Sequence, residues 1–471
     1  MNALRSIIAV IFPLITYPYA AHVVGVENLG RVDYVAHYVE FFMLFATFGT
    51  ATYAVRECAA VRDDRQASDE VASEIWTFSL CTTFISLALM CVMVLVYGKL
   101  HSYAPIFIIQ GTSIAFTTLG ADWINVVYEN FGYVTVRGIL INLINMALLF
   151  TLVKSPDDYL IYAFLSVATS VFIGLSNLLY VRRHVTLRLR FSDRLKGLAG
   201  KLLPFFANEF SIAIYVGADS IILGIMRGDY YVGIYSVAVK IYTIVKSVFI
   251  AIFSVTLSRL SEHAARGEMD EFGRILSGVT SVFIILGLPA MTGLMLYAGP
   301  IVLLVGGNDY VRSADSLRLL AVALIFAIFG GIATNCVNVP LGYEKVNSGA
   351  AMIAAVENVV LNVPFIMLWD EKGAALSTII AELTVLCICV LRLMRVRTDL
   401  RELRFGRDVR DSVVGVALII AAYFLIRELE VHVFVQLFIG VVASVILYGA
   451  ALIALKNRLA WAVVGRLGKI R

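Results

Sequence analysis

The chain has 471 residues, of which 60% are hydrophobic and only 15% charged, with a mean hydropathy of +0.87. A soluble domain carries roughly 25% charged residues, so a water-soluble fold is excluded. The net charge of +4, with no basic tail, gives no reason to expect a nucleic-acid partner.

Apolar runs long enough to cross a hydrocarbon layer of ~30 Å recur along the whole chain. In chain order they predict spans near 7–25, 34–55, 76–98, 104–127, 137–154, 158–180 and 202–225, then 231–256, 277–305, 317–340, 349–368, 373–394, 412–428 and 432–454. The fold class is therefore all-α, a polytopic transmembrane helical bundle of about fourteen spans. No gap leaves room for an extramembrane domain. The first span begins like a signal peptide, but Pro13 and Pro18 interrupt it and no small-residue cleavage site follows, so it is expected to be retained. The six cysteines show no metal-ligand spacing and are expected to be small core residues.

Cytoplasmic loops accumulate Lys and Arg. With the N-terminus inside, 28 of the 38 basic residues fall on the cytoplasmic side, eight on the opposite side, and Lys240 and Lys246 within a span. Both termini are thus expected in the cytoplasm.

The chain also repeats. Gly25-Val-Glu-Asn-Leu-Gly30 precedes the second span as Gly228-Asp-Tyr-Tyr-Val-Gly233 precedes the eighth, an offset of 203 residues that also aligns His37 with Lys240 and Arg56 with Arg259. Six spans, an even number, fit within that offset, so the halves form a parallel repeat about an axis along the membrane normal. The expected domains are an N-lobe (1–190), a C-lobe (191–400) and a terminal helix pair (401–471). The glycines themselves read as tight turns.

An ionisable group facing lipid costs about 2.5 to 3.5 kcal/mol, so those within spans should face a cavity or a partner. Lys240 and Lys246 stand near the middle of the eighth span, about 600° apart around the helix and so on different faces. Each could bind an anionic group or neutralise a buried acid, with Asp219, Glu209 and Glu40 as candidate partners. His37 and Glu40, three residues apart, could carry a coupling H⁺ or Na⁺ together with Asp219, or could be a packing pair. Asp122, Glu129 and Arg137, with Arg56 and Glu57, read as a cytoplasmic gate or as ordinary loop charge. Asn335, Asn338, Asn358 and Asn362 could line a path for sugar hydroxyls or bond between helices. Glu357 and Glu382 should face inward or pair, and Pro289, Pro340 and Pro364 are expected to kink their helices.

Several stretches carry a family resemblance: Phe12-Pro-Leu-Ile-Thr-Tyr-Pro-Tyr19, Phe48-Gly-Thr-Ala-Thr-Tyr-Ala-Val-Arg-Glu57, Asp122-Trp123, and Glu129-Asn-Phe-Gly-Tyr-Val-Thr-Val-Arg137. Tyr215 with Asp219, Gly233-Ile-Tyr-Ser236, Leu303-Leu-Val-Gly-Gly307 and Gly373-Ala-Ala-Leu-Ser-Thr378 extend it to residue 395 or so. The chain resembles the polysaccharide biosynthesis proteins, or O-antigen flippases, of the multidrug/oligosaccharidyl-lipid/polysaccharide exporter superfamily. The resemblance implies two six-helix lobes around a cavity that opens alternately to each side of the bacterial inner membrane. It implies transport of an undecaprenyl-diphosphate-linked oligosaccharide to the outer leaflet, beside polysaccharide polymerase or ligase machinery. Lys240, Lys246 and Arg56 would then meet the diphosphate. No cofactor is expected, and no enzyme, since no catalytic cluster sits in a loop large enough to fold. A multidrug or cation exporter of the same superfamily is the alternative, though two central lysines suit an anionic substrate better.

Overall fold

The computed structural model describes residues 2–192, 194–396 and 405–461, which are helices joined by short turns with no strand among them. The fourteen expected spans fall on helical segments, but 34–55 crosses a break between Val26–Thr47 and Thr50–Ala60, 104–127 one between Ala104–Gly120 and Trp123–Val127, and 277–305 one between Met269–Leu296 and Ala298–Gly306. Twelve helices among the described residues are long and apolar enough to cross a membrane, or thirteen if the bent pair Gly197–Ile214 and Gly217–Arg227 counts as one span. The expected first span is helical over Asn2–Val24 (α1).

The chain divides into two compact units, Met1–Gly233 and Ile234–Arg471. The first holds α1, α2 (Val26–Thr47), α3 (Thr50–Ala60), α4 (Arg65–Val96), α5 (Ala104–Gly120), α6 (Trp123–Val127), α7 (Phe131–Leu152), α8 (Tyr159–Tyr180) and α9 (Arg194–Arg227). It also takes the first turn of α10 (Asp229–Ala265). The second unit holds the rest of α10, then α11 (Met269–Leu296), α12 (Ala298–Gly306), α13 (Ser313–Gly331), α14 (Glu344–Trp369), α15 (Glu371–Val396), α16 (Gly406–Arg427) and α17 (Val433–Ala454).

The division therefore comes one helix later than the repeat places it. Alpha-helix α9 stays with the first unit because aromatic rings lock it to α2 and α3. Phe48 stacks on Phe206 at 4.5 Å, Phe41 meets Phe210 at 5.4 Å, and Tyr53 meets Phe205 at 6.1 Å. The terminal pair α16 and α17 belongs to the second unit. Asn457 Nδ2 donates to both Asp408 Oδ1 (2.9 Å) and Asp411 Oδ2 (3.0 Å), and Ser281 of α11 donates to Asp408 Oδ2 at 2.6 Å.

The repeat appears in the backbone. Gly25 and Gly228 both take positive φ, +80° and +89°, a conformation that costs glycine nothing and turns the chain into α2 and α10. Gly30 and Gly233, five residues on, do something else. A Cβ on Gly30 would overlap the Asp229 carbonyl, and a Cβ on Gly233 would overlap the Val26 carbonyl. Val26 and Asp229 are themselves equivalents at the 203-residue offset, so the same contact is made twice, reciprocally. Small residues let backbones approach this closely in a membrane, where apolar burial gives helices little reason to associate. The repeat is not perfect: α2 is broken at Phe48 and Gly49, both at positive φ, whereas α10 runs through the equivalent positions.

Among the expected kink sites, Pro289 and Pro364 lie inside α11 and α14, while Pro340 falls in the turn that follows a π-helical segment, Ile332–Asn338. The cysteines depart from expectation. Cys58, Cys336 and Cys389 are buried, but Cys81, Cys91 and Cys387 are exposed on the outer faces of their helices. A lipid-facing surface is as apolar as a core, so an apolar residue type does not reveal which face it occupies.

Substituting either Gly30 or Gly233 by Ala should lower stability by about 1 to 3 kcal/mol through overpacking. Gly138→Ala on α7, where a Cβ meets nothing within 4 Å, should be neutral or slightly stabilising. Thermal unfolding of the purified variants would check this; equal melting temperatures for all three would contradict the crossing.

Candidate functional site

Within the first unit, the expected histidine–carboxylate group assembles on α2 and α9. His37 Nδ1 lies 3.3 Å from Glu40 Oε2, one turn further along α2. Gly217 of α9 faces the same nitrogen, and a Cβ there would stand 3.4 Å from it, so the missing side chain makes room for the imidazole. Three carboxylates, Glu40, Asp33 and Asp219, act electrostatically on His37. Asp219 is buried and its Oδ1 accepts from the Ser220 N–H at 2.8 Å; Asp33 accepts from the Tyr17 hydroxyl at 3.4 Å. An imidazole held among carboxylates can take up and release a proton. No group of three His, Cys, Asp or Glu side chains among the described residues converges as metal ligands do. Asp33 was missed in the sequence because it sits before the apolar run that defines the span.

In the second unit, Lys246 on α10 meets Glu382 on α15, with Nζ 2.6 Å from Oε1. The Tyr242 hydroxyl donates to the same oxygen at 3.0 Å, and Lys246 Nζ lies 5.4 Å from the Tyr242 ring. Lys246 is thus paired with Glu382, an acid outside the three expected as partners. Lys240, about 120° around the helix, is half-buried and does not share this pair's face. Glu357 on α14 buries Oε2 without a hydrogen-bond partner among the described residues.

The expected gate residues divide into separate groups. Asp122, at the break between α5 and α6, pairs with Arg137 of α7 at 2.8 Å. Asn125 and Asn177 also donate to Asp122 Oδ1, at 2.9 and 2.8 Å, and Arg137 donates to Asn177 Oδ1. Arg137 is buried, and the network ties α6, α7 and α8 together. Glu129 lies apart and pairs with Arg62 at 2.9 Å. Arg56 pairs with its neighbour Glu57 at 2.9 Å and covers the rings of Tyr53 and Phe205 at 5.3 and 5.6 Å. Beside the network, His184 follows the α8 span, stacked on Tyr128 at 4.7 Å with Nε2 2.9 Å from Asn130 Nδ2. Burial, with Arg183 and Arg65 nearby, holds its pKa below the usual imidazole value. It is therefore neutral at pH 7 and can accept that bond.

The asparagines expected along a sugar path are mostly interior. Asn362 Nδ2 donates to Asn358 Oδ1 at 3.0 Å, and Ser377 of α15 donates to Asn362 Oδ1 at 2.9 Å; Asn358 and Asn362 are fully buried. Asn338 is fully buried and donates to Asn347 at 2.7 Å. Asn335, half-buried, donates to its own helix at Gly331 O, 3.2 Å. The Ser377–Asn362 and Asn338–Asn347 bonds join helical segments, whereas the Asn362–Asn358 and Asn335–Gly331 bonds stay within one. Asn177 is the polar residue that sequence reasoning passed over; its only signal is an amide within an apolar span.

Breaking the Lys246–Glu382 pair on one side should cost about 3 kcal/mol, the lower end for a buried pair because Lys246 keeps some exposure. Lys246→Met with Glu382→Leu should recover most of it. A double-mutant cycle on thermal unfolding tests this, and additive losses would show the two side chains uncoupled.

Three kinds of similarity bear on this arrangement. A family model described as "Polysaccharide biosynthesis protein" matches residues 1–263. The "Putative O-antigen transporter" of Shigella dysenteriae is 24% identical over 80% of this chain and 94% of its own length. Its namesake from Escherichia coli strain K12 is 23% identical over 81% and 92%. Among solved structures, the lipid II flippase MurJ in an inward closed conformation superposes with a TM-score of 0.80 at 15% identity, covering 98% of this chain and 99% of that one. An inward-facing MATE multidrug transporter gives 0.65 at 16% identity over 84% and 95%. At these identities the structures speak for the fold, which is that of a MurJ- or MATE-like transporter. The family model, spanning more than half of the chain, speaks for descent: this multi-pass membrane protein belongs to the polysaccharide biosynthesis protein family.

Proposed function

We propose that the chain flips an undecaprenyl-diphosphate-linked oligosaccharide from the cytoplasmic to the outer leaflet of the bacterial inner membrane, for surface polysaccharide synthesis. The observation that carries the reading is family membership, joined to relatives named as O-antigen transporters that match over more than nine-tenths of their length. The distribution of Lys and Arg supports an orientation with both termini in the cytoplasm.

In this reading Lys240 supplies a compact positive charge and three N–H donors to the lipid diphosphate. Lys246 is held by Glu382 and Tyr242 and tunes the same helix instead of meeting the ligand directly. Arg56, largely exposed and backed by Tyr53 and Phe205, lies at the basic end where a cytoplasmic substrate would first arrive. His37, with Glu40, Asp33 and Asp219, exchanges the coupling ion, a proton or Na⁺, as the protein alternates its access. Polymerase or ligase machinery would then receive the flipped unit. A cation exporter of the MATE type shares the fold but lacks the support of the named relatives.

Deleting the gene should abolish the surface glycan and leave the lipid-linked unit in the inner leaflet. Unchanged glycan with no such accumulation would refute the reading. Lys240→Ala should reduce export by about ten- to a hundredfold at normal protein level, as loss of a charge-assisted bond implies. Full export in that variant would remove Lys240 from the site.

A further inference from the structure

The chain between α8 and α9 is not a loose connector. Residues 185–192 run extended along the first turns of α4, pinned at every second backbone N–H. Thr186 N donates to Asp69 Oδ1 at 2.8 Å, Arg188 N to Ser73 Oγ at 3.1 Å, and Arg190 N to Thr77 Oγ1 at 3.0 Å. Ser73 Oγ also donates back to the Thr186 carbonyl at 3.4 Å, and Ser192 Oγ donates to Glu74 at 2.9 Å. The rungs match because four helical residues advance about 6 Å and two extended residues about 6.6 Å. Asp69, Ser73 and Thr77 therefore form a ladder into which an extended chain fits in register.

The ladder also sets depth. Its last rung lies about 12 Å further along α4 than its first, past Glu74, the final charged residue of that helix. Beyond that level α4 is a bare apolar surface, with Phe84 and Ile85 exposed. The ribbon's apolar face follows the same course. Val185 and Leu187 pack into the unit's interior, but Leu189 and Phe191, next on that face, are 63% and 75% exposed. Such residues, at the level where α4 turns apolar, belong at an acyl boundary.

Between the ribbon and α4 lies an open groove of about 630 Å³ lined by Arg65, Arg188 and Arg190, with Gln66, Ser73, Thr186 and two acids. The acids are already engaged: Asp69 with the Thr186 N–H, and Glu70 with Arg190 at 3.2 Å. Arg65 and Arg188 have no side-chain partner among the described residues, and with three arginines against two carboxylates the groove lining keeps a net positive charge. We propose that this groove binds the phosphate headgroup of an anionic bilayer phospholipid, with Leu189 and Phe191 seated among the adjoining acyl chains. The bilayer is the occupant because Leu189 lines the groove together with Arg188, and Phe191 continues the ribbon's exposed apolar face beyond the last rung, so that charge and apolar surface adjoin as headgroup and chain do in a lipid. The inference does not depend on the flippase reading.

The full chain, reconstituted without any lipid-linked oligosaccharide, should crosslink through residues 185–192 to phosphatidylglycerol carrying a diazirine on its acyl chain. Unlabelled phosphatidylglycerol should compete, and phosphatidylcholine should not. Arg65→Gln with Arg188→Gln should cut the crosslink about tenfold without changing the melting temperature. A Trp placed by Phe191→Trp should be quenched by brominated lipid and shielded from acrylamide. Equal competition by the two lipids, competition by inorganic phosphate alone, an unchanged crosslink in the double variant, or a water-exposed Trp would each overturn the proposal. If the double variant proves misfolded, the competition and the Trp measurement on folded protein still decide.

Discussion

Placing a charge in hydrocarbon is so costly that each ionisable side chain within these spans needs a partner or a polar surface, and much of the structure follows from meeting that need. Lys246 has Glu382 and Tyr242. Arg137 has Asp122 and Asn177. His37 has Glu40 beside it, with Asp33 and Asp219 acting on it. The Lys246–Glu382 pair joins α10 to α15 and the Arg137 network joins α6, α7 and α8, so the need to satisfy charge also fixes packing where the hydrophobic effect gives little direction. The buried acids of α16 do the same for the terminal pair, holding it to α11 through Ser281 and to the chain after α17 through Asn457. That pair is an integral part of the second unit.

The duplicated architecture rests on a second constraint, close approach of backbones. The two copies of the Gly-x-x-x-x-Gly segment use their first glycine for a turn and their second for a crossing, and the crossing is reciprocal. From equivalent positions beyond those turns, the copies carry different chemistry. His37 stands among carboxylates on α2, while Lys240 stands on α10 one face away from a lysine–glutamate pair.

The sequence made the helical segments legible because a span needs only a long apolar run, but not the breaks inside the runs 34–55, 104–127 and 277–305. It made the duplication legible through Gly25, Gly30, Gly228 and Gly233. It did not reveal which glycine turns and which one packs, since both roles require the same absence of a side chain. Partners were harder still. Glu382 lies far from Lys246 in the chain, and nothing in one sequence says that α10 meets α15 there. The asparagines of α14 were ambiguous because an amide in an apolar span serves a polar path or an interhelical bond equally well, and the bond from Ser377 to Asn362 could not be foreseen without knowing that α14 meets α15 there. The grouping of α9 with the first unit was not legible because the aromatic seam between α2 and α9 depends on which faces of two helices meet. The exposed cysteines were misread because a lipid-facing surface and a protein core select the same residue types.

The central claim is that this chain alone carries a lipid-linked oligosaccharide across a bilayer. It is tested most directly in proteoliposomes containing the purified protein and a fluorescent undecaprenyl-diphosphate oligosaccharide, with the outer leaflet probed by a membrane-impermeant glycosidase. Protein-bearing vesicles should expose nearly all of the oligosaccharide to the enzyme, against about half in protein-free vesicles, and exposure should slow markedly with Lys240→Ala. Cleavage that stops at the same fraction with and without the protein would contradict the account.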